Sequence, residues 1–514
     1  MQTPDTGQIQ DHEYSYTTSD VANTAISDLS FENKQLARRK YLGSTPYKTI
    51  MKHIVFPSFV GMIVQAMYTT IDSMYISNYS SQAIAAMSFV FPFETILIGV
   101  AVMNAVGSNS NISASLGSGN IKLASNFISA CFFNALVIGI VLPIVLCTSL
   151  PYLLDIIGVT PETKPLALIY SYIICGAGSV SYALSMAACD CLRAEGKYKR
   201  SLMALACGAI TNIVLDPIFI YAFKMGLAGA AISTVISNFV CASIGWSYFF
   251  VRNPAKRSVV ILSWKKVFRP DFRCILKILS IGTSSLLSNV TLAIANVVIN
   301  MLNSKFAASS WEAEAYAGSL GALNKILQLF IFTCYAFNQG TIALGSYAVG
   351  ANLFARYRAL AKLAAIWEIS VMIGCAIALC ALATVLPLIF YSGEREVAKI
   401  MTSMIYTCAP SQIFNGIQIF LFAAFICVKK PIASGFSASF RTCTVLVPVA
   451  LTLAYTLKQP KYIMLAYPIS DFISFLLCIG MITFNRKSLH IKKTDFDGPL
   501  NEVFEENKVP EIEL

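Results

Sequence analysis

Apolar stretches long enough to cross about 30 Å of hydrocarbon recur through this chain from about Ile54 to Asn485, with only short polar breaks between them. In hydrocarbon a backbone must satisfy its own N–H and C=O groups, so such stretches fold as helices. The hydropathy pattern predicts twelve, at about 52–77, 86–110, 122–150, 165–190, 200–223, 227–250, 275–303, 318–348, 362–390, 401–426, 433–457 and 461–484. Of the 514 residues, 56% are hydrophobic and 13% charged, whereas soluble domains run near 25% charged. The expected fold is therefore an all-α polytopic membrane protein.

The longest interior loop fixes the expected orientation and division. Between Arg252 and Lys277 it carries Lys256, Arg257, Lys265, Lys266, Arg269 and Arg273 against Asp271 alone, so the inside-positive bias places it in the cytosol. The same parity puts Arg193, Lys197, Lys199, Arg200, Arg356, Arg358, Lys362, Lys429 and Lys430 inside, and both termini with them. The loop separates an N-lobe at 50–250 from a C-lobe at 275–485, with the linker at 251–274. The echo of SLGSGNIKLA after the second span in YAVGANLFAR after the eighth supports two pseudo-symmetric six-helix lobes, and parallel repeats of that kind frame a central cleft. Residues 1–49 lack a signal peptide and read as a disordered cytosolic tail, and 486–514 read as a cytosolic C-terminal tail, basic at its start and acidic at its end.

Several classes of activity find no support. Fifteen scattered cysteines and three histidines give neither a disulfide framework nor a structural metal set. No nucleophile–base set suggests an enzyme, and no Walker motif suggests direct ATP coupling. The surplus of 38 Lys+Arg over 27 Asp+Glu follows topology rather than nucleic-acid affinity. Two repeated lobes suit a functional monomer that meets small organic substrates and lipid, with no cofactor.

Two carboxylates break the apolar pattern. Asp72 follows the run HIVFPSFVGMIVQAMYTTI, and Asp216 lies within ACGAITNIVLDPIFIYAF; a charge in hydrocarbon must face protein or water, and marks a candidate ion site. Gln65, Thr69 and Asp72 share one helical face, with Tyr68 beside them, and Gly208, Asn212 and Asp216 repeat every four residues, with Pro217 leaving an upstream carbonyl unpaired. Thr234 offers a hydroxyl if spans five and six pair. Such an oxygen-rich pocket either holds a small hard cation or carries a proton shared between two carboxyls. Asp190 sits at a basic edge, where Arg193 offers an ordinary ion pair. No carboxylate of the second half reads as equally deep, and amides line its cleft instead: Asn289, Asn296, Asn300 and Asn303 in span seven, Asn338 and Gln339 in span eight, and Gln412, Asn415 and Gln418 in span ten. Tyr68, Tyr75, Phe332, Tyr335 and Phe337 can supply aromatic faces to planar or cationic compounds.

The string LRAEGKYKRSLMALACGAITNIVLDPIFIYAFKMGLAGAAISTVISN (192–238), with DSMYISNYSSQAIAAMSFVFP from Asp72 and YPISD at 467–471, resembles the multidrug and toxic compound extrusion (MATE) family. The likeness covers about 50–485 and is nearest its DNA-damage-inducible-protein-F-like and staphylococcal-efflux-pump-like members, within the multidrug/oligosaccharidyl-lipid/polysaccharide exporter superfamily. The resemblance implies a twelve-helix, two-lobed secondary antiporter that exports organic, cationic or amphiphilic drugs or metabolites in exchange for H⁺ or Na⁺ across the plasma membrane. It also implies that Asp72, Asn212, Asp216 and Thr234 form the N-lobe ion site. The sequence departs from the family where Ser185, Met186 and Ala187 replace a frequent asparagine, and where FNQGTIALGSYAVGAN lacks a frequent proline. A flippase for a lipid-linked or amphiphilic metabolite and a transporter-derived channel or sensor are the competing expectations.

Overall fold

The computed structural model describes residues 47–485 apart from 80, 158–162, 252–257, 261, 263 and 391–394, and it also describes Leu489. The expected tails at 1–49 and 486–514 fall almost entirely outside the described residues, as do Arg252, Lys256 and Arg257. Among the described residues there is no strand. Among the described residues, eight spans are helices that run the full crossing, some interrupted by a short turn or π turn, two are bent helix pairs, and Tyr47–Tyr79 and Ser310–Gly350 complete twelve.

The breaks follow from sequence. Span four consists of Lys164–Cys175 and Ala177–Ala194, bent by 41° around Gly176. Span ten consists of Arg395–Cys408 and Gln412–Cys427, bent by 58° around Pro410, whose ring nitrogen has no proton to give the preceding turn. In span five, Tyr198–Pro217 passes into a π turn at Ile218–Ala222, where the Phe223 N–H reaches the Ile218 carbonyl at 2.9 Å. Span eleven repeats the device: Pro431–Ser439 opens into a π turn at Phe440–Leu446 ahead of Pro448, and Val447–Leu457 completes it.

The two halves meet through glycine. Span two, Ser81–Gly117, crosses span seven, Phe272–Phe306, so closely that a Cβ on Gly107 would stand 2.1 Å from the Ile278 carbonyl oxygen. Near the linker the same span crosses span eight, where Gly117 faces the Tyr347 carbonyl and Gly350 faces that of Ala114, each leaving 2.1 Å for a Cβ. Gly117 and Gly350 each end their helix, and Gly119 and Asn352, two residues on in each case, both turn the chain at positive φ.

The apolar core has a matching layout. At the linker end, one cluster takes residues from both halves, including Ile112, Leu192, Ile278, Tyr347 and Leu360, together with Val260 of the linker itself. At the opposite end, the clusters separate into one around Leu150, Ile174 and Ile220 and another around Ile299, Leu379 and Met404. The halves are therefore fastened at the linker end and distinct beyond it.

The linker is docked on the helices: Ser258, Val259, Val260, Leu262 and Val267 are buried, and Trp264–Phe268 is helical. Glu195, fully buried, holds it by accepting from the Ser258 hydroxyl at 2.6 Å, the Val259 N–H at 2.9 Å and the Tyr248 hydroxyl at 3.3 Å. The second tail likewise begins packed, with Leu489 buried in the cluster formed by Leu421, Phe425 and Cys478.

Candidate ion and substrate sites

The first-half site is built where span five is about to lose its regular hydrogen bonding. Asn212 and Asp216 lie one turn apart, so Asn212 Nδ2 donates to Asp216 Oδ1 at 3.1 Å. Span six, Gly226–Phe250, comes close because a Cβ on Gly208 would meet Cys241 and the Ser237 carbonyl at 3.0 Å. That approach carries the Ser233 hydroxyl onto Asp216 Oδ1, in a short hydrogen bond. Thr234 is on the rim: its hydroxyl donates to its own helix at Ala230, 3.0 Å away, and lies 3.5 Å from Asn212 Nδ2.

Span one brings Asp72 into electrostatic reach of Asp216. The Tyr221 hydroxyl, from the π turn, donates to the Tyr75 carbonyl at 2.8 Å and fastens span one beside the carboxyl pair. Three buried oxygens there have no protein partner among the described residues: Asp72 Oδ1, Asp216 Oδ2 and Asn212 Oδ1. Two carboxylates side by side repel unless a proton or cation lies between them. Three unsatisfied oxygens around such a pair suit either passenger.

The sequence reading missed two contributors. Ser233 is adjacent to Thr234, and only the rotation of span six decides which hydroxyl meets Asp216. Glu94 of span two, which lies in electrostatic reach of Asp72 and Tyr170, was readable as a lone acid in SFVFPFETILIGV.

The structure distributes the accessory candidates differently. Tyr68 lies in electrostatic reach of Asp72. Gln65 is half-buried, and Thr69 is exposed and donates to the Ala66 carbonyl of its own helix at 3.0 Å. Asp190 pairs with Arg193 at 2.9 Å and also accepts from Asn109 at 3.2 Å, near the linker end. The Gln339 carbonyl oxygen lies 3.5 Å from Asn109 Nδ2, which makes it part of the contact between halves rather than a cleft wall.

The asparagine stripe of span seven is also not a single wet face. Asn289 donates to its own helix at Ser285, Asn296 is half-buried, Asn300 is exposed and Asn303 is fully buried. Twisting and local packing split what spacing alone aligned.

The second half does contain deep carboxylates, contrary to the sequence expectation. Glu368 in span nine, Phe354–Ala381, is fully buried, and neither carboxyl oxygen has a partner among the described residues. Asp471 in span twelve, Ala466–Phe484, accepts from Ser411 at 2.6 Å and from Arg441 Nε at 2.5 Å. Arg441 Nη1 reaches Asn415 at 3.3 Å, and Asn415 donates to Gln412 at 3.2 Å. Gln412 and Asn415 thus belong to a buried ionic network, while Gln418 donates to the Ser437 backbone at 2.8 Å. The signal missed was Arg441 itself, a cation in the middle of SGFSASFRTCTVLVP.

A twelve-span helical bundle in two repeated halves, carrying buried ionisable groups in both, defines a polytopic membrane transporter. The comparisons agree. The family model MatE matches residues 57–218. The multidrug export protein MepA of Staphylococcus aureus is 25% identical over 392 residues, covering 75% of this chain and 82% of that protein. An FAD transporter of Shewanella oneidensis is 25% identical over 222 residues, covering 42% and 48% respectively. Among solved structures, the outward-facing conformation of a multidrug resistance MATE family transporter of the MOP superfamily superposes with a TM-score of 0.81 at 22% identity, over 89% of this chain and 99% of that one. A MATE crystal structure in complex with MaL6 gives 0.80 at 21%, over 88% and 99%. Together these likenesses support membership of the MATE family.

Proposed function

We propose that this protein is a secondary antiporter that exports organic drugs or metabolites, cationic or amphiphilic, in exchange for H⁺ or Na⁺. The observation that carries this reading is the Asp72–Asp216 pair, with three unpartnered oxygens in a buried pocket. Its relatives include a multidrug export protein and an FAD transporter, which supports a broad organic cargo. The membrane is the plasma membrane, with both termini and the basic linker in the cytosol, as the charge of the loops directs.

The mechanism follows from competition between states. A proton or Na⁺ entering between Asp72 and Asp216 removes their repulsion and tightens span one against span five. An empty pocket leaves span one free to repack. Coupling requires that ion and cargo favour different arrangements, and span one can convey that preference because it packs on spans five and eight alike. Asn212 and Ser233 hold Asp216 in place through the cycle, and Glu94 adds a third acid at the same wall.

Proteoliposomes with independently imposed pH and sodium gradients test the reading. Concentrative export driven by one gradient is expected from the native chain, and Asp72→Asn or Asp216→Asn should abolish it while membrane insertion persists. Undiminished gradient-driven export by both variants would refute the carboxylate role.

A further inference from the structure

The second half repeats the architecture of the first but sets a cation beside its buried acid. Ile-Ser-Thr-Val-Ile-Ser at 232–237 in span six has its counterpart in Ile-Ser-Asp-Phe-Ile-Ser at 469–474 in span twelve, so Asp471 occupies the position of Thr234. The partner helices correspond as well, since spans five and eleven each carry a π turn. Where the first half gathers Asp72 and Asp216 without a basic group, the second supplies its own cation, Arg441.

Arg441 lies ten residues into span eleven from Pro431, about 15 Å along a helix axis and near the middle of the bilayer. A guanidinium at that depth is costly unless it serves the protein interior or a wet cavity. Asp471, only 2% exposed, is saturated on both oxygens by Ser411 and Arg441 and points into protein. Arg441 remains 20% exposed. Its Nε and Nη1 are engaged by Asp471 and Asn415, and among the described residues Nη2 has no protein partner.

The pair is therefore asymmetric: the anion is hidden and the cationic end is presented. Tyr335 of span eight and Tyr467 of span twelve lie in electrostatic reach of the guanidinium. Tyr335 is 40% exposed on a span that also packs on spans one and two, so this end opens toward the space between the halves. A held guanidinium with a spare donor edge beside aromatic faces is suited to a planar acid, because it can offer charge-assisted hydrogen bonds in a fixed geometry.

We propose that Arg441, positioned by Asp471 and Asn415, anchors an acidic group of the transported compound. The cargo class this favours is an aromatic compound bearing a carboxylate or phosphate, zwitterions included. The idea rests on the export reading above and adds the charge of the cargo to it.

Binding, measured by calorimetry on the purified full chain, tests the proposal separately from ion-driven transport. The probes are a fluoroquinolone carboxylic acid and its methyl ester. The native chain should bind the acid about tenfold or more tightly than the ester. The double variant Arg441→Met, Asp471→Asn removes both charges together and leaves no orphan ion. It should lose that preference while holding its affinity for the ester within about twofold. Equal binding of acid and ester by the native chain, no binding of either, or a preference that survives in the double variant would overturn the anchor. A parallel fall in affinity for both probes would mark the pair as structural and overturn it equally. Export of ethidium, which has no acid, by the same variant in proteoliposomes reports on the export reading independently.

Discussion

Gly282 and Met103 meet backbone to backbone: a Cβ on Gly282 would stand 1.8 Å from the Met103 carbonyl oxygen. The contact joins the first span of the second half to the second span of the first. Small residues at such a crossing let two helices approach to van der Waals contact, the main attraction left between helices in lipid.

Gly282→Ala should therefore force the helices apart, at a cost on the order of 1–3 kcal/mol. A lower melting temperature in detergent is expected, together with reduced transport. Gly374→Ala is the control, because nothing lies within 4 Å of its would-be Cβ, and it should melt like the native protein. If the two variants melted alike, the crossing would not be as tight as its backbone distances require.

Ser233 and Thr234 should separate cleanly by mutation. Ser233 donates directly to Asp216, and Thr234 only skirts Asn212. Losing a hydrogen bond to a charged group costs about 1.5–3 kcal/mol, so Ser233→Ala is expected to slow gradient-driven export about tenfold or more. Thr234→Val keeps the shape and should stay within about twofold of native, both variants being read in the same vesicle assay. The reverse ranking would move the site to the other face of span six.

Glu195→Ala should loosen the linker. It removes acceptors for Ser258, Val259 and Tyr248 at a buried point, an expected loss of about 1–3 kcal/mol. Hydrogen exchange at the Val259 and Val260 amides should accelerate strongly, while span twelve exchanges as before. Unchanged protection would show that the linker is held by its apolar contacts alone.

Glu368 makes an opposite prediction. Its carboxyl is buried without a partner, and an unsatisfied polar group in such a place is destabilising. Glu368→Met, similar in volume, should melt at or above the native temperature in a detergent-based thermal shift measurement. A fall of several degrees would reveal a partner that stabilises the acid.

Much of this organisation is legible without coordinates. Twelve apolar runs, the basic linker and the repeated glycine strings prescribe the helices and their twofold arrangement, because each is written as a local pattern. Asp72, Asn212 and Asp216 are legible too, since polar groups stand out against an apolar background. The amide stripe of span seven is not, because exposure depends on which neighbour each Asn meets. Asp471 went unrecognised as a deep acid because its partner, Arg441, lies thirty residues earlier, and only packing brings the two to 2.5 Å.

The sequence by itself determined that the chain crosses the membrane in two repeated sets of helices and keeps a few costly ionisable groups within them, since hydrophobic length and local spacing are properties of the chain alone. Tertiary structure decided how those groups combine. The rotation and tilt of packed helices set Ser233 rather than Thr234 on Asp216, brought Asp72 across from another span, and gave the second half an internal cation where the first has only acids. Electrostatic pairing acts over a few ångströms in space, and the chain order does not record it.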